Sequence, residues 1–377
     1  MGIKILHTAD IHIGLRFSGR DYPSSLKDKL ISEPLNTLER MIGIANSKKC
    51  DIFVIAGDMF DKIGISKAEV RKAADVLNKF TGSSVVVLPG NHDFIEESPE
   101  SLWKVFREKM SEHILLLLDK KEPVKAKIND VPVVFYPGPC RTKHSSENMI
   151  SWVKEVEKNK SAIHIGVAHG SVEGLSPDME QNYFPMTIKE MKESGTDFWL
   201  LGHTHIRYPE KNGTINPLFF MPSTPCPDGF DCFHEGYAWI IDVNDDKSLS
   251  YESVKTGHFV FKSWEKEIFS GDDLDKLKEE VLRTLDKDSV LMKLKLTGKL
   301  NQNEFDLLYS FRKEVAGMLA YAEVDISSVT LKIDQEYIEK SFTRDSLPYR
   351  LLSRLAEKTE NQTALQLAFD LIGESKG

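Results

Sequence analysis

Five short apolar runs punctuate the first two thirds of the chain, at residues 3–8, 52–56, 85–88, 163–168 and 198–201. Continuous, β-branched runs of this length predict strands buried on both faces. Between them, apolar positions recur at helical spacing over residues 28–48, 66–80, 99–109, 147–158 and 187–194. Strand, helix, strand at this interval predicts βαβ units. From about Asn212 the texture changes to "TINPLFFMPS", "GYAWIIDV" and "LSYESVKTG", short runs parted by turn residues, which predict antiparallel strands. The fold class expected is α/β, a two-sheet sandwich flanked by helices.

Near residues 257–261 the pattern shifts again. "DLDKLKEEVLRTL" and "EFDLLYSFRKEVAGML" read as amphipathic helices, and "VLMKLKLTG" and "DISSVTLKI" as strands. They predict a smaller α+β domain. Two further helical patterns, 347–356 and 363–371, are hinged by "KTENQ". The expected organisation is residues 1–257, 258–336 and a helical tail at 337–377. Leu351, Leu352, Leu355, Leu365, Leu367 and Leu371 give the tail narrow apolar stripes. Such stripes either fold back on the small domain or meet a partner helix, and both remain open at this point.

Composition narrows the class. With 41% hydrophobic and 28% charged residues in 377, the chain is an ordinary globular protein. No apolar run approaches the roughly 20 residues that span a bilayer. The opening residues lack the charged and long apolar regions of a signal peptide, so no membrane association and a cytoplasmic location are expected. Four cysteines without a C-x-x-C pair read as reduced thiols. A net charge of −9 argues against a broadly basic surface while leaving room for a local positive site.

Polar residues cluster where the apolar runs end. "KILHTADIH" leads into Asp10 and His12, "DIFVIAGDMFD" into Asp58, and "VVVLPGNHD" into Asn91, His92 and Asp93. "IHIGVAHG" ends in His169, and "FWLLGHTH" in His203 and His205. In α/β sheets, ligands bind beyond the carboxyl ends of the strands, so these groups are expected at one rim. Asp10 and His12, like His203 and His205, are two residues apart, and extended backbone would point each pair to one side. Imidazoles mixed with carboxylate and amide oxygens suit manganese, iron or zinc better than magnesium or calcium. The donors are too many for one tetrahedral ion. Two ions about 3.5–4 Å apart and sharing a carboxylate would account for them, and would clamp a phosphoryl group. His7, His113, His144, His164, His234 and His258 do not follow this pattern and read as ordinary structural histidines.

Taken together, "DIH", "GDMFD", "GNHD", "AHG" and "GHTH" resemble the calcineurin-like metallophosphoesterases, and the "TADIHIG" opening with an appended C-terminal domain is similar to the SbcD/YhaO-type DNA-repair nucleases among them. The resemblance implies two divalent ions, usually manganese, in a two-sheet sandwich. One ion would be held by Asp10, His12, Asp58 and His205, and the other by Asp58, Asn91, His169 and His203. It implies attack at phosphorus by a hydroxide between the ions, with His92 as the acid that protonates the leaving oxygen. Asp93 either orients His92 or caps a turn. The implied activity is that of a DNA exo- or endonuclease acting in repair, partnered by an SMC-like ATPase of the SbcC/YhaN type, with a homodimer also admitted. The small domain stands where these nucleases carry a DNA-capping domain. A nucleotide, cyclic nucleotide or phosphoprotein substrate is the alternative, and a non-enzymatic scaffold is disfavoured because no ligand is missing. Two positions depart from the pattern: Asp61 stands where archaeal and eukaryotic relatives carry histidine, and "MPST" (221–224) replaces "PGS".

Overall fold

The computed structural model describes residues 2–374 apart from 97, 99, 100, 118–120, 177, 179, 285 and 358–360. The chain forms two compact units, Met1–Val260 and Phe261–Gly377. In the first, the order is β1 (Ile3–Thr8), α1 (Ser24–Ser47), β2 (Ile52–Ala56), α2 (Lys67–Leu77), β3 (Ser84–Leu88), α3 (Leu102–Arg107) and β4 (Ile114–Leu116). Then come β5 (Val124–Ile128), β6 (Val131–Gly138), β7 (Ile163–His169), α4 (Ile188–Glu193) and β8 (Phe198–Gly202). The unit ends with β9 (Arg207–Tyr208), β10 (Phe219–Pro222), β11 (Tyr237–Val243) and β12 (Leu249–Lys255).

Two six-stranded sheets, ordered β12-β11-β1-β2-β3-β4 and β5-β6-β7-β8-β10-β9, pack face to face. Strands β1 to β4 run parallel, as do β6, β7, β8 and β10. Alternation along β2 explains its unbroken apolar run. Ile52, Val54 and Ala56 face the second sheet, beside Phe135, Ile165 and Leu200. Phe53 and Ile55 face the helices, beside Leu38, Met41 and Phe106. The outer face of the second sheet is closed by Tyr136, Val153, Met191 and Trp199. The carboxyl ends of β1, β2, β3, β7 and β8 thus reach a common rim with every strand residue behind them spoken for.

Several expectations change. Residues 147–158 form a 3-10 turn, Ser151–Glu155, in place of a helix. The Asn148 side chain accepts the backbone N–H of Ile150 and of Ser151, the local competition that unseats a helix start. The hairpin of β5 and β6 has no counterpart among the apolar runs, although Asn129 and Asp130 at its tip, both with positive φ, are turn formers. Among the expected antiparallel strands, β10 pairs parallel with β8. The start of the 99–109 helix and residues 358–360 of the expected hinge lie outside the described residues. Met221 to Thr224, the departure from "PGS", are buried at the end of β10.

The second unit contains β13 (Val260–Ile268), α5 (Gly271–Thr284), β14 (Val290–Leu300), α6 (Gln302–Met318) and β15 (Tyr321–Leu331), with sheet order β13-β14-β15. Its last helices are α7 (Gln335–Ser341), α8 (Leu347–Ala356) and α9 (Gln362–Glu374). They enclose a small core of Ile333, Ile338, Leu352 and Leu365. Leu347, Leu351, Leu367 and Leu371 stay exposed. The tail leucines therefore divide: one set holds the three helices together and the other faces outward. Among the described residues no helix is long and apolar enough to cross a membrane.

The cross-strand pair Gly166 and Trp199 gives a direct test of this packing. A Cβ at Gly166 would overlap the buried indole of Trp199, whereas Gly43, exposed on α1, has open space around it. Gly166→Ala is expected to destabilise by about 1–3 kcal/mol through overpacking. Gly43→Ala should stabilise by up to about 1 kcal/mol through helix propensity. Melting temperatures that move in the same direction for both would contradict this packing.

Candidate metal centre

The loops after β1 and β2 are laced by backbone hydrogen bonds. Asp10 N–H donates to Gly57 O at 3.1 Å, Ile11 N–H to Asp58 O at 2.9 Å, and Ile13 N–H to Met59 O at 2.9 Å. Asp10, His12 and Asp58 adopt φ of 55°, 54° and 50°, and His203 one of 95°. These left-handed conformations cost energy and persist only where surrounding structure dictates them. They also change why the pairs Asp10/His12 and His203/His205 converge: the backbone is not extended there, and the loop lacing aims the side chains instead. Gly57 combines φ 93° with an approach to His169 so close that a Cβ would overlap the ring.

The same side chains brace the rim. Asp58 Oδ1 accepts from His92 N–H at 2.8 Å, and Asp10 accepts from His203 N–H at 3.1 Å. His169 Nδ1 stands 2.9 Å from Ala56 O. A carbonyl only accepts, so Nδ1 carries the hydrogen and Nε2 presents a lone pair in the neutral ring. That Nε2 lies 3.2 Å from Asp58 Oδ2 and 3.0 Å from Asn91 Oδ1, with His203 Nδ1 3.1 Å from the same amide oxygen. Once the His169 ring is neutral, all of these atoms are acceptors converging on one space. Bonds of roughly 2.1 Å at right angles put neighbouring donors about 3.0 Å apart, so a divalent cation fits the set. Beside it, ligand atoms of Asp10, His12 and His205 lie within 4.8 Å of one another, as do those of Asp10, Asp58 and His169. Both ring nitrogens of His12 are buried without a hydrogen-bond partner.

Burial and the Asp58–His169 pair set the charges at the rim. Burial raises the pKa of Asp10. Burial also pushes Asp58 up, but His169 beside it more than offsets this and leaves its carboxyl well below the usual range. Conversely, burial disfavours a charged His169, yet Asp58 raises it to about 9. His12 and His203 are held near 3 by burial, so both rings are neutral.

His92 and Asp93 separate in role. Asp93 is fully buried, accepts from Phe60 N–H at 3.0 Å and Gly90 N–H at 2.6 Å, and is raised to about 7 by burial. These are the contacts of a turn cap, tying the β3 loop to the β2 loop. The His92 ring is met instead by Asp61, whose backbone oxygen lies 2.9 Å from Nδ1. The Asp61 carboxylate also lies within 4.8 Å of His12 and His92. A further contact has no mark in the sequence pattern: Tyr183 lies against the His203 ring, centroids 4.9 Å apart, and His144 against Tyr183. Neither follows an apolar run, the one signal that singled out the other rim residues. His7 is fully buried within β1, and His164 bonds Tyr136 Oη and Asn159 O, both away from the rim.

The calcineurin-like phosphoesterase family model matches residues 3–207, more than half of the chain. The metallophosphoesterase YhaO of Bacillus subtilis, itself described as uncharacterised, is 26% identical over 269 residues, which are 70% of this chain and 62% of that protein. The SbcD component of the SbcCD nuclease of Staphylococcus saprophyticus is 26% identical over 236 residues, 57% of this chain and 59% of the relative. The DNA double-strand break repair protein Mre11 of Aeropyrum pernix is 30% identical over 101 residues, 26% of this chain and 23% of its own. The chain thus spans about three fifths of the length of the first two relatives.

Loading a cation at His169 Nε2 must displace the proton that Asp58 holds there up to a pH of about 9. Manganese titration calorimetry in buffers of different ionisation enthalpy should therefore show release of about one proton or more per chain near neutral pH. Affinity should rise with pH and level off above about 9, where the ring is already neutral. Uptake without proton release near neutral pH would contradict the assigned tautomer and charge.

Proposed function

Because the chain belongs to the calcineurin-like phosphoesterase family, we propose that it is a dinuclear-metal phosphodiesterase that hydrolyses DNA. Asp10, His12, Asp58 and His205 would hold one ion and Asp58, Asn91, His169 and His203 the other, with Asp58 shared. The observation that carries this is the convergence of Asp58 Oδ2, Asn91 Oδ1, His169 Nε2 and His203 Nδ1 at separations of 3.0–3.2 Å. Manganese is the ion this mixture of imidazole, carboxylate and amide suits best. When bound, such a pair of ions supplies Lewis acidity toward phosphoryl oxygens and acidifies water.

The chain's own groups then divide the work. Asp58 and Asp10, each pinned by a backbone N–H, keep the donor set in register. His92 is the acid. Its Nδ1 hydrogen points to Asp61 O, which fixes the ring and leaves Nε2 to deliver a proton to the departing oxygen. Relatives named as part of a nuclease and as a DNA double-strand break repair protein support DNA as the substrate. The exposed Leu347, Leu351, Leu367 and Leu371 of α8 and α9 support a partner helix there, and we assign it to the coiled coil of an SMC-like ATPase.

The test is hydrolysis of end-labelled double- and single-stranded DNA beside bis(p-nitrophenyl) phosphate, with manganese and after chelation. Manganese-dependent DNA cleavage is expected. His92→Asn should retain its ions and DNA affinity while kcat falls by about 10²-fold or more. Cleavage of the small diester but not of DNA would overturn the substrate. Loss of an ion from His92→Asn would make His92 a ligand, a role its proximity to His12 and Asp61 makes a real alternative outcome.

A further inference from the structure

A cavity of about 390 Å³ is lined by Phe17, Arg20, Tyr22, Asp228, Phe230 and Asp231. One wall belongs to the segment that leaves His12. It turns at once, with Leu15 N–H bonded to His12 O at 3.1 Å, and brings in Phe17 with φ 47°. The opposite wall is the 228–231 turn. The Arg20 guanidinium lies 4.9 Å from the centroid of the Phe230 ring, across the two walls. Burial raises the Asp228 carboxyl above its usual range, while the rim residue His205 pulls it the other way.

We propose that this cavity is a subsite for a nucleobase of the nucleotide whose phosphate lies at the metal centre. The proposal rests on the phosphodiesterase reading and extends it to what flanks the scissile bond. Two features select a base over a phosphate. The charged lining is one arginine against Asp228 and Asp231, a balance that repels an anion but tolerates a neutral ring. The ring and guanidinium surfaces are those on which bases stack irrespective of sequence. The carboxylates add acceptors for exocyclic amino groups. Phe17 is buried and supports the floor, whereas Arg20 and Phe230 are part-exposed and offer the stacking surface.

The experiment compares binding of cytidine 5′-monophosphate and base-free ribose 5-phosphate to the manganese-loaded protein by calorimetry. It does not require turnover, so it is decided separately from DNA hydrolysis. The wild-type chain should bind the nucleotide about 10-fold or more tighter than the sugar phosphate. Phe230→Ala and Arg20→Met should each bring the two affinities to within about 3-fold while both proteins still bind two manganese ions. If Phe230→Ala does not fold, Arg20→Met alone carries the test, with melting temperature as the check. Equal wild-type affinities, or a base preference that survives both substitutions, would overturn the subsite. Absence of DNA cleavage alongside an intact base preference would overturn the DNA substrate and leave the subsite standing.

Discussion

Two carboxyl groups and an imidazole share a buried space at the rim of the sandwich. Asp10, Asp58 and His169 approach within 4.8 Å and all three are buried, while the neighbouring His12 and His203 rings are neutral. The proton on His169 pairs with Asp58, and burial disfavours the charged form of Asp10 beside them. Buried charge without a partner costs several kcal/mol per ion. A divalent cation reverses that balance, because the same acceptors that repel one another in its absence become its ligands. The rest of the rim serves this crowding of acceptors. The left-handed residues, the loop lacing and the N–H bonds to Asp10 and Asp58 hold acceptors together that would otherwise move apart.

The sheets supply the rigidity that this requires. Strands β1, β2, β3, β7 and β8 are buried on both faces, so their ends cannot drift without disturbing the inter-sheet or helix-facing core. Asp93 adds a tie between two of the loops, and its carboxyl is raised to about 7 by a site too buried to favour its charge. The geometry of the rim rests on backbone, since His169 is set by Ala56 O and His92 by Asp61 O.

That dependence on backbone decides how much is legible in the sequence. An apolar run followed by Asp, Asn or His marks a strand end with a polar tip, and the residues so marked, from Asp10 to His205, do share one rim. Alternation along an extended chain is the wrong reason for Asp10 and His12, because local sequence does not report a positive φ outside glycine. The orientation of His92 is illegible for a similar reason: its partner is a carbonyl, which any residue could have provided. The 147–158 pattern has helical spacing, but the Asn148 side chain takes the backbone N–H groups. Asn129-Asp130 is a readable hairpin signal that strand periodicity alone does not weigh. In the tail, leucine spacing does not separate the inward Leu352 and Leu365 from the outward Leu351 and Leu367.

On the proposed assignment the rim holds two cations joined through Asp58. Electron paramagnetic resonance of the chelator-treated chain titrated with manganese tests it most directly. Two ions per chain are expected, with the closely spaced hyperfine lines of a spin-coupled pair, and that coupling should be lost in Asp58→Asn. A single isolated manganese spectrum in the wild-type chain at saturation would contradict it.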